Sequence, residues 1–460
     1  MHCRGARSRR KIRAEYRLPF WLLRASLVVM YSNSVNGNPE MVIRLINQIP
    51  WDVAHSKGLF GHIARQDPDG LKEHIRQGVS TYDVLGEANI DPLTYAIIYK
   101  NVEVIRLLLQ AGADPYQTNG RNRAHSVPLT VITRFIRGRP EDHVLVREFP
   151  ISDYLEDLEF TLLHKVVMGI AHISLDEALS MPQCIRDLNS LTTIWISPLQ
   201  VAALRDDAEA CFLLVQAGAD VDASHPSGGS VTALHRACSH NNYHAAKALL
   251  ALGASPTLGD DTGACALHHA AWSQEGTDTM LLQHLIEHGG DVNRVDAGGC
   301  SPLIQLAAWG GTLDRMSVLL DRGANIDHQD NDGDTPLLCT LLRSSVALTA
   351  LLLQRGADVS ITNKRGQGVL HLAAVYGSEE GLEELAKLHA FLRGLDINAR
   401  DTMGKTPRQS FNEREPPPGA ELRRAFERLL NAAKGAYGDE EDEEKEFFDA
   451  RERMEDELAS

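Results

Sequence analysis

From about residue 58 to residue 435 the apolar residues fall into short clusters at helical spacing, separated by polar stretches of about ten residues. One kind of cluster opens on a turn, as in Asp91-Pro92-Leu93-Thr94, Ser197-Pro198-Leu199-Gln200, Thr232-Ala233-Leu234-His235, Cys265-Ala266-Leu267-His268, Ser301-Pro302-Leu303-Ile304 and Thr335-Pro336-Leu337-Leu338. A Ser, Thr or Asp side-chain oxygen can accept from the free N–H groups of a first helical turn, and proline there lacks a donor that would go unpaired anyway. The pattern therefore predicts a helix start at each of these places. The other kind ends on glycine, as in Leu107-Leu108-Leu109-Gln110-Ala111-Gly112, and recurs at Gly218, Gly253, Gly289, Gly323 and Gly356. Glycine accepts the left-handed conformation that closes a helix, so a second helix is expected to stop at each.

The two landmarks keep a constant phase, with steps of 35, 33, 36 and 34 residues between starts from Ser197 to Thr335. A period in this range signals stacked supersecondary units. Each unit reads as two short antiparallel helices followed by a projecting finger such as Asp330-Asn331-Asp332-Gly333. Apolar positions such as Met316, Val318, Leu319 and Leu320 are too many for one helix pair to cover, and stacking is what buries them. Weaker copies start near Val127 and Thr161, where Ser174-Leu175-Asp176-Glu177 forms a capping box. The stretch 116–160 is irregular. A degenerate first copy spans Leu59 to Gly78, and Glu421 to Ala433 is an amphipathic closing helix after Pro416-Pro417-Pro418.

Taken together, the starts, the L-L-x-x-G-A-D ends and the D-x-x-G turns resemble the ankyrin repeat, and Leu370-His371-Leu372-Ala373-Ala374 is nearly its full helix core. The resemblance covers about four fifths of the chain. It implies an all-α solenoid of stacked helix-turn-helix units with β-hairpin fingers, in about ten repeats. Three segments are expected: a basic, partly disordered one over 1–57, the array over 58–435, and an acidic disordered tail over 436–460. Leu18-Pro19-Phe20-Trp21-Leu22 ahead of a degenerate first repeat resembles multi-repeat ankyrin proteins abundant in fungi, and also the opening of an F-box, the helical adaptor of ubiquitin ligases.

Composition adds little to this and excludes several classes. Hydrophobic residues make up 43% and aromatic residues 6% of 460, a globular balance. Residues 1–28 hold eight Arg and Lys against Glu15, while Asp439 to Ser460 holds twelve Asp and Glu against three Arg and Lys, out of a net charge of −16. The basic end suits nuclear import or a nucleic-acid contact. The middle is moderately acidic, and nucleic acid is not the expected ligand of the array. Seven widely spaced cysteines without a C-x-x-C pair suit reduced thiols in the cytosol or nucleus. The longest apolar stretch, Leu18 to Met30, is short and carries Arg24, so no membrane span is expected. The chain is expected to be a monomer.

Chemical motifs dissolve into the repeat. Gly404-Lys405-Thr406 lacks the glycine a phosphate loop needs at 399, which is alanine, and Gly366-x-Gly368 is followed by His371 rather than a third glycine. The histidines His164, His235, His268 and His371 hold the fourth place of the helix start, which the ankyrin resemblance makes structural. His284 and His288 sit at i, i+4 with no third ligand. No catalytic signature appears, and neither a cofactor nor a metal nor an enzymatic activity is expected.

The resemblance implies instead a partner protein held on a concave surface, by the inner helix near its end and by the fingers. The places seven and eight residues past each start then select Tyr99, Arg205, His240, Trp272, Trp309, Arg343 and Tyr376 as partner-binding residues. Trp, Tyr and Arg are the types that dominate binding hot spots. The expected class is a scaffold or adaptor; the alternatives are a transcription-linked factor using the basic arm and a ubiquitin-ligase substrate receptor.

Overall fold

The computed structural model describes residues 12–17, 25–33, 39–49, 59–77, 84–85, 90–116, 127–139, 142–273, 279–414 and 417–435. The chain divides into two compact units, one of residues 1–178 with 190–194, the other of residues 179–189 with 195–460.

The first unit opens with strands the sequence reading does not place: β1 (Ile12–Arg17), β2 (Ala25–Asn33) and β3 (Pro39–Ile49) form an antiparallel meander, and β4 (Val84–Leu85) pairs in parallel with the end of β3. Ala25-Ser26-Leu27-Val28-Val29-Met30-Tyr31 is rich in residues that favour a pleated surface. These strands occupy most of the segment in which the F-box resemblance would put helices. The basic run Arg4–Lys11, the Leu18–Leu22 motif and the acidic tail lie outside the described residues.

Helix pairs follow. Leu59–Ala64 and Pro68–Arg76 form the degenerate first copy, with Asp67 accepting from Gly70 N–H at 2.9 Å. Pro92–Ile98 and Val102–Gln110 form the next, and Asp91 caps it through Thr94 N–H at 2.8 Å. The irregular stretch holds one long helix, Val127–Arg137, and two short ones, His143–Val146 and Ile151–Asp157. The capping box at Ser174 and Glu177 closes in both directions, at 3.1 and 3.2 Å.

In the second unit the inner helices run Pro198–Leu204, Ala233–Ser239, Ala266–Trp272, Pro302–Trp309, Pro336–Leu342, Val369–Tyr376 and Pro407–Asn412, each beginning where the turn signal puts it. Their outer partners, from Ala208–Gln216 to Val346–Gln354, end just before the predicted glycines, while the last, Glu379–Lys387, ends at Leu388 without one and is followed by His389–Leu392. Gly323 has φ +85. Its successor Ala324 donates back to Leu319 C=O at 3.0 Å, which satisfies an otherwise orphaned carbonyl. The core is Leu, Ala, Ile and Val from successive helices, for example Leu303, Leu306, Met316, Leu319, Leu337 and Leu338, all essentially inaccessible to water.

The fingers are tight turns. Asp330 N–H donates to Asp334 C=O at 3.1 Å, and Asn331 N–H reaches Gly298 C=O of the preceding finger at 2.9 Å. The same link joins Ala297 to Thr262 and Lys364 to Asp332. Among the described residues no β-ladder runs along these fingers. Ala420–Ala433 closes the unit, its Phe426 ring stacked on Phe411 at 4.2 Å.

Candidate functional site

The fourth residue of each start is a strap between repeats. Thr232 N–H donates to His235 Nδ1 at 3.1 Å while His235 Nε2 bonds Leu258 C=O in the next finger at 3.0 Å. His268 repeats this with Cys265 N–H and Cys300 C=O, at 3.2 and 2.9 Å, and Gln200 does so with Ser197 N–H and Val231 C=O, at 3.2 and 2.6 Å. The pattern requires a neutral imidazole with its proton on Nε2. Burial pushes the His235 pKa down to about 4, helped by the neighbouring His269, and lowers that of His268 as well. These histidines are structural.

Four and five residues further on, the inner helix turns its end outward. Trp272 and Trp309 stand there on adjacent repeats, 43% and 46% exposed, with ring centroids 5.6 Å apart and planes inclined at 36°. From the following repeat Arg343 lays its guanidinium over the Trp309 ring at 5.2 Å and donates through Nε to Ala308 C=O at 2.5 Å. An exposed cation–π contact contributes about 0.5–1 kcal/mol, so this pairing orients the two side chains more than it stabilises the fold. Tyr376, on the next inner helix, is 47% exposed, and its carbonyl accepts from Ser344 Oγ at 2.7 Å. Three predicted residues are thus in contact and a fourth follows in the same column.

The remaining three are placed differently. Arg205 and His240 are half-buried; burial lowers the Arg205 pKa, and His240 Nδ1 lies 2.9 Å from Ser239 Oγ. Tyr99 is exposed but belongs to the first unit, its hydroxyl 3.3 Å from that of Tyr95.

Two residues in the site are absent from the sequence prediction. His269 stands between the His235 ring, at 4.9 Å, and the Trp272 ring, at 6.4 Å, and its Nε2 meets Asp260 Oδ2 at 3.0 Å. Burial pushes the Asp260 carboxyl up, but hydrogen bonds from His269 and Thr262 outweigh it and hold the group well below the usual carboxylate range. Arg315, buried on the outer helix Leu313–Asp321, donates to Ser273 C=O at 2.6 Å and ties down the chain just after Trp272. A lone charge on the inward face of an outer helix was the available signal for Arg315; His269 carried none, because its role depends on a finger nine residues away in sequence.

No group of three or more His, Cys, Asp or Glu among the described residues could hold a metal ion. Burial pushes the Cys211 thiol up to about 12.

Residues 199–296, 274–363 and 303–401 match a family model described as ankyrin repeats, in three copies, and residues 90–120 match the single ankyrin repeat. The human SH3 and multiple ankyrin repeat domains protein 2 is 31% identical over 243 residues, 52% of this chain and 12% of that protein. The mouse B-cell lymphoma 3 protein homolog is 29% identical over 230 residues, 49% of this chain and 50% of that protein. The chain therefore spans half or less of the length of these relatives. A crystal structure of the human ASB11 ankyrin repeat domain aligns with TM-score 0.43 at 25% identity, over 51% of this chain and 98% of that one. The matched copies fall on the helix pairs described above, and on that agreement the chain belongs to the ankyrin-repeat family.

Proposed function

We propose that this protein is a scaffold or adaptor, and that a partner protein seats on the ends of the inner helices around Trp272, Trp309, Arg343 and Tyr376. Ankyrin repeats are a protein-interaction fold and in general a non-catalytic one, and no described helix is long and apolar enough to cross a membrane. The observation that carries the proposal is the continuous Trp272–Trp309–Arg343 contact across three repeats, with both indoles more than two fifths exposed. Large aromatic rings left open to water cost solvation free energy of roughly 25 cal/mol per Å². A partner that covers them recovers it, and Trp and Arg are the anchors such surfaces use. Cysteine usage supports a reducing compartment, cytosol or nucleus: the six described cysteines are free thiols and five are buried.

The test is affinity purification of the intact chain beside Trp309→Ala and Trp272→Ala, with circular dichroism to verify the helices. Loss of a hot-spot tryptophan lowers affinity by roughly 30-fold or more, so the recovered partner should fall away while the helical signal stays. Equal recovery by parent and variants refutes this site. Unfolding of both variants assigns the indoles to packing instead.

A further inference from the structure

Arg343 is held on two sides and open on a third. Its guanidinium lies against the Trp309 ring at 5.2 Å, its Nε donates to Ala308 C=O at 2.5 Å, and no other described residue bonds it. Arginines on the neighbouring outer helices are different: Arg322 pairs with Glu287 and Arg355 with Asp321. Arg343 is exposed, and in a chain of net charge −16 it has no carboxylate partner among the described residues.

Stacking occupies the flat face of the group and the carbonyl occupies Nε, so the edge bearing Nη1 and Nη2 is what remains. Those two nitrogens present parallel N–H groups at the spacing of the two oxygens of a carboxylate. Ring and carbonyl fix the side chain beforehand, so little rotamer freedom is lost when such a ligand arrives. A cationic side chain is disfavoured at the Trp309 ring, because Arg343 already stands over it.

Charge along the array limits the ligand further. The two repeats that carry the tryptophans, residues 265–334, hold eleven Asp and Glu against three Arg and Lys, whereas the two that carry Arg343 and Tyr376, residues 335–405, hold seven against eight. A uniformly acidic ligand is repelled over the first pair. One carboxylate at Arg343, next to an uncharged large side chain on the indoles, meets both surfaces. In an extended segment, side chains on one face stand about 7 Å apart. The guanidinium is 5.2 Å from the Trp309 ring and that ring 5.6 Å from Trp272, a spacing that two such side chains span.

Resting on the scaffold reading above, we infer that the partner presents an extended segment with an Asp or Glu side chain two places from a large apolar residue. The carboxylate takes Nη1 and Nη2 of Arg343, and the apolar side chain covers Trp272 and Trp309. Arg343 thereby sets the preference for an acid at this face.

The probe is a library of random nonapeptides displayed within a carrier protein, so that none ends in a free carboxylate, selected on the intact chain. Selected sequences should share Asp or Glu two places from Trp, Phe, Tyr or Leu. The tightest is then synthesised with both ends capped, its acid kept or changed to the amide, and each form is titrated into parent and Arg343→Gln by fluorescence anisotropy. Against the parent the amide form should bind roughly tenfold or more weakly. Against Arg343→Gln the two forms should bind alike, with circular dichroism unchanged. Arg343→Lys, which keeps the charge and loses the paired donors, should show a reduced preference and serves the same comparison if the glutamine variant loses helix. An empty selection, or one without the acid or enriched in Lys and Arg, overturns the inference. So does an acid preference of equal size in parent and variants. Peptides that need Trp309 but neither the acid nor Arg343 overturn it too, while leaving the scaffold reading intact.

Discussion

The strap at His235 sets a pH dependence that can be worked through. Its ring is 1% exposed, accepts from Thr232 N–H on Nδ1 and is held to a pKa of about 4, against about 6.5 for histidine in an unfolded chain. The folded value is the lower one, so folding favours the neutral ring. The stabilisation is complete above pH 6.5 and drains as pH falls toward 4, because the unfolded chain takes up a proton the folded chain refuses. From pH 7 to 4.5 the linkage amounts to about 2 kcal/mol from this residue. Gln200 shows how to remove the titration and keep the strap: its amide makes both bonds at the equivalent place, accepting from Ser197 N–H and donating to Val231 C=O. His235→Gln should therefore match the parent at pH 7 within about 1 kcal/mol. Between pH 7 and 4.5, in urea unfolding followed by circular dichroism, it should lose about 2 kcal/mol less than the parent. Titrating groups that do not interact with His235 cancel in the comparison, and His269 and Asp260, which do, are present in both proteins. Parallel acid loss in the two proteins would falsify the assignment of a neutral strap.

Two further outcomes follow from the repeat itself. Gly323→Ala places a side chain at φ +85 with open space around it, so the cost is backbone strain alone, about 1 kcal/mol, read from the urea midpoint. Cys211, Cys238 and Cys339 are buried, and burial raises their thiol pKa values; with iodoacetamide at pH 8 they should stay unlabelled in native protein and label fully in urea, as mapped by mass spectrometry. Labelling of the native thiols at the unfolded rate would contradict the packing described here.

What the sequence determined by itself was the ladder of helix pairs. Helix starts and stops are local events: Ser301 caps Ile304 N–H three residues on, and Gly323 turns the chain where it stands, so a window of a few residues carries the information. The period then dictated stacking, since no pair covers its own apolar flanks. Strands β1 to β3 escaped because pairing joins residues as distant as Ala25 and Asn47, and register is not written in either strand alone. For the site, the sequence supplied a column but not its members' surroundings. Tertiary structure decided that Trp272, Trp309 and Arg343 meet while Arg205 and His240 sink to half-burial and Tyr99 falls in another unit. It also brought in His269 through Asp260 and Arg315 through Ser273. Exposure and contact across 30 to 40 residues depend on how neighbouring repeats pack, which side-chain identity at a single position cannot encode.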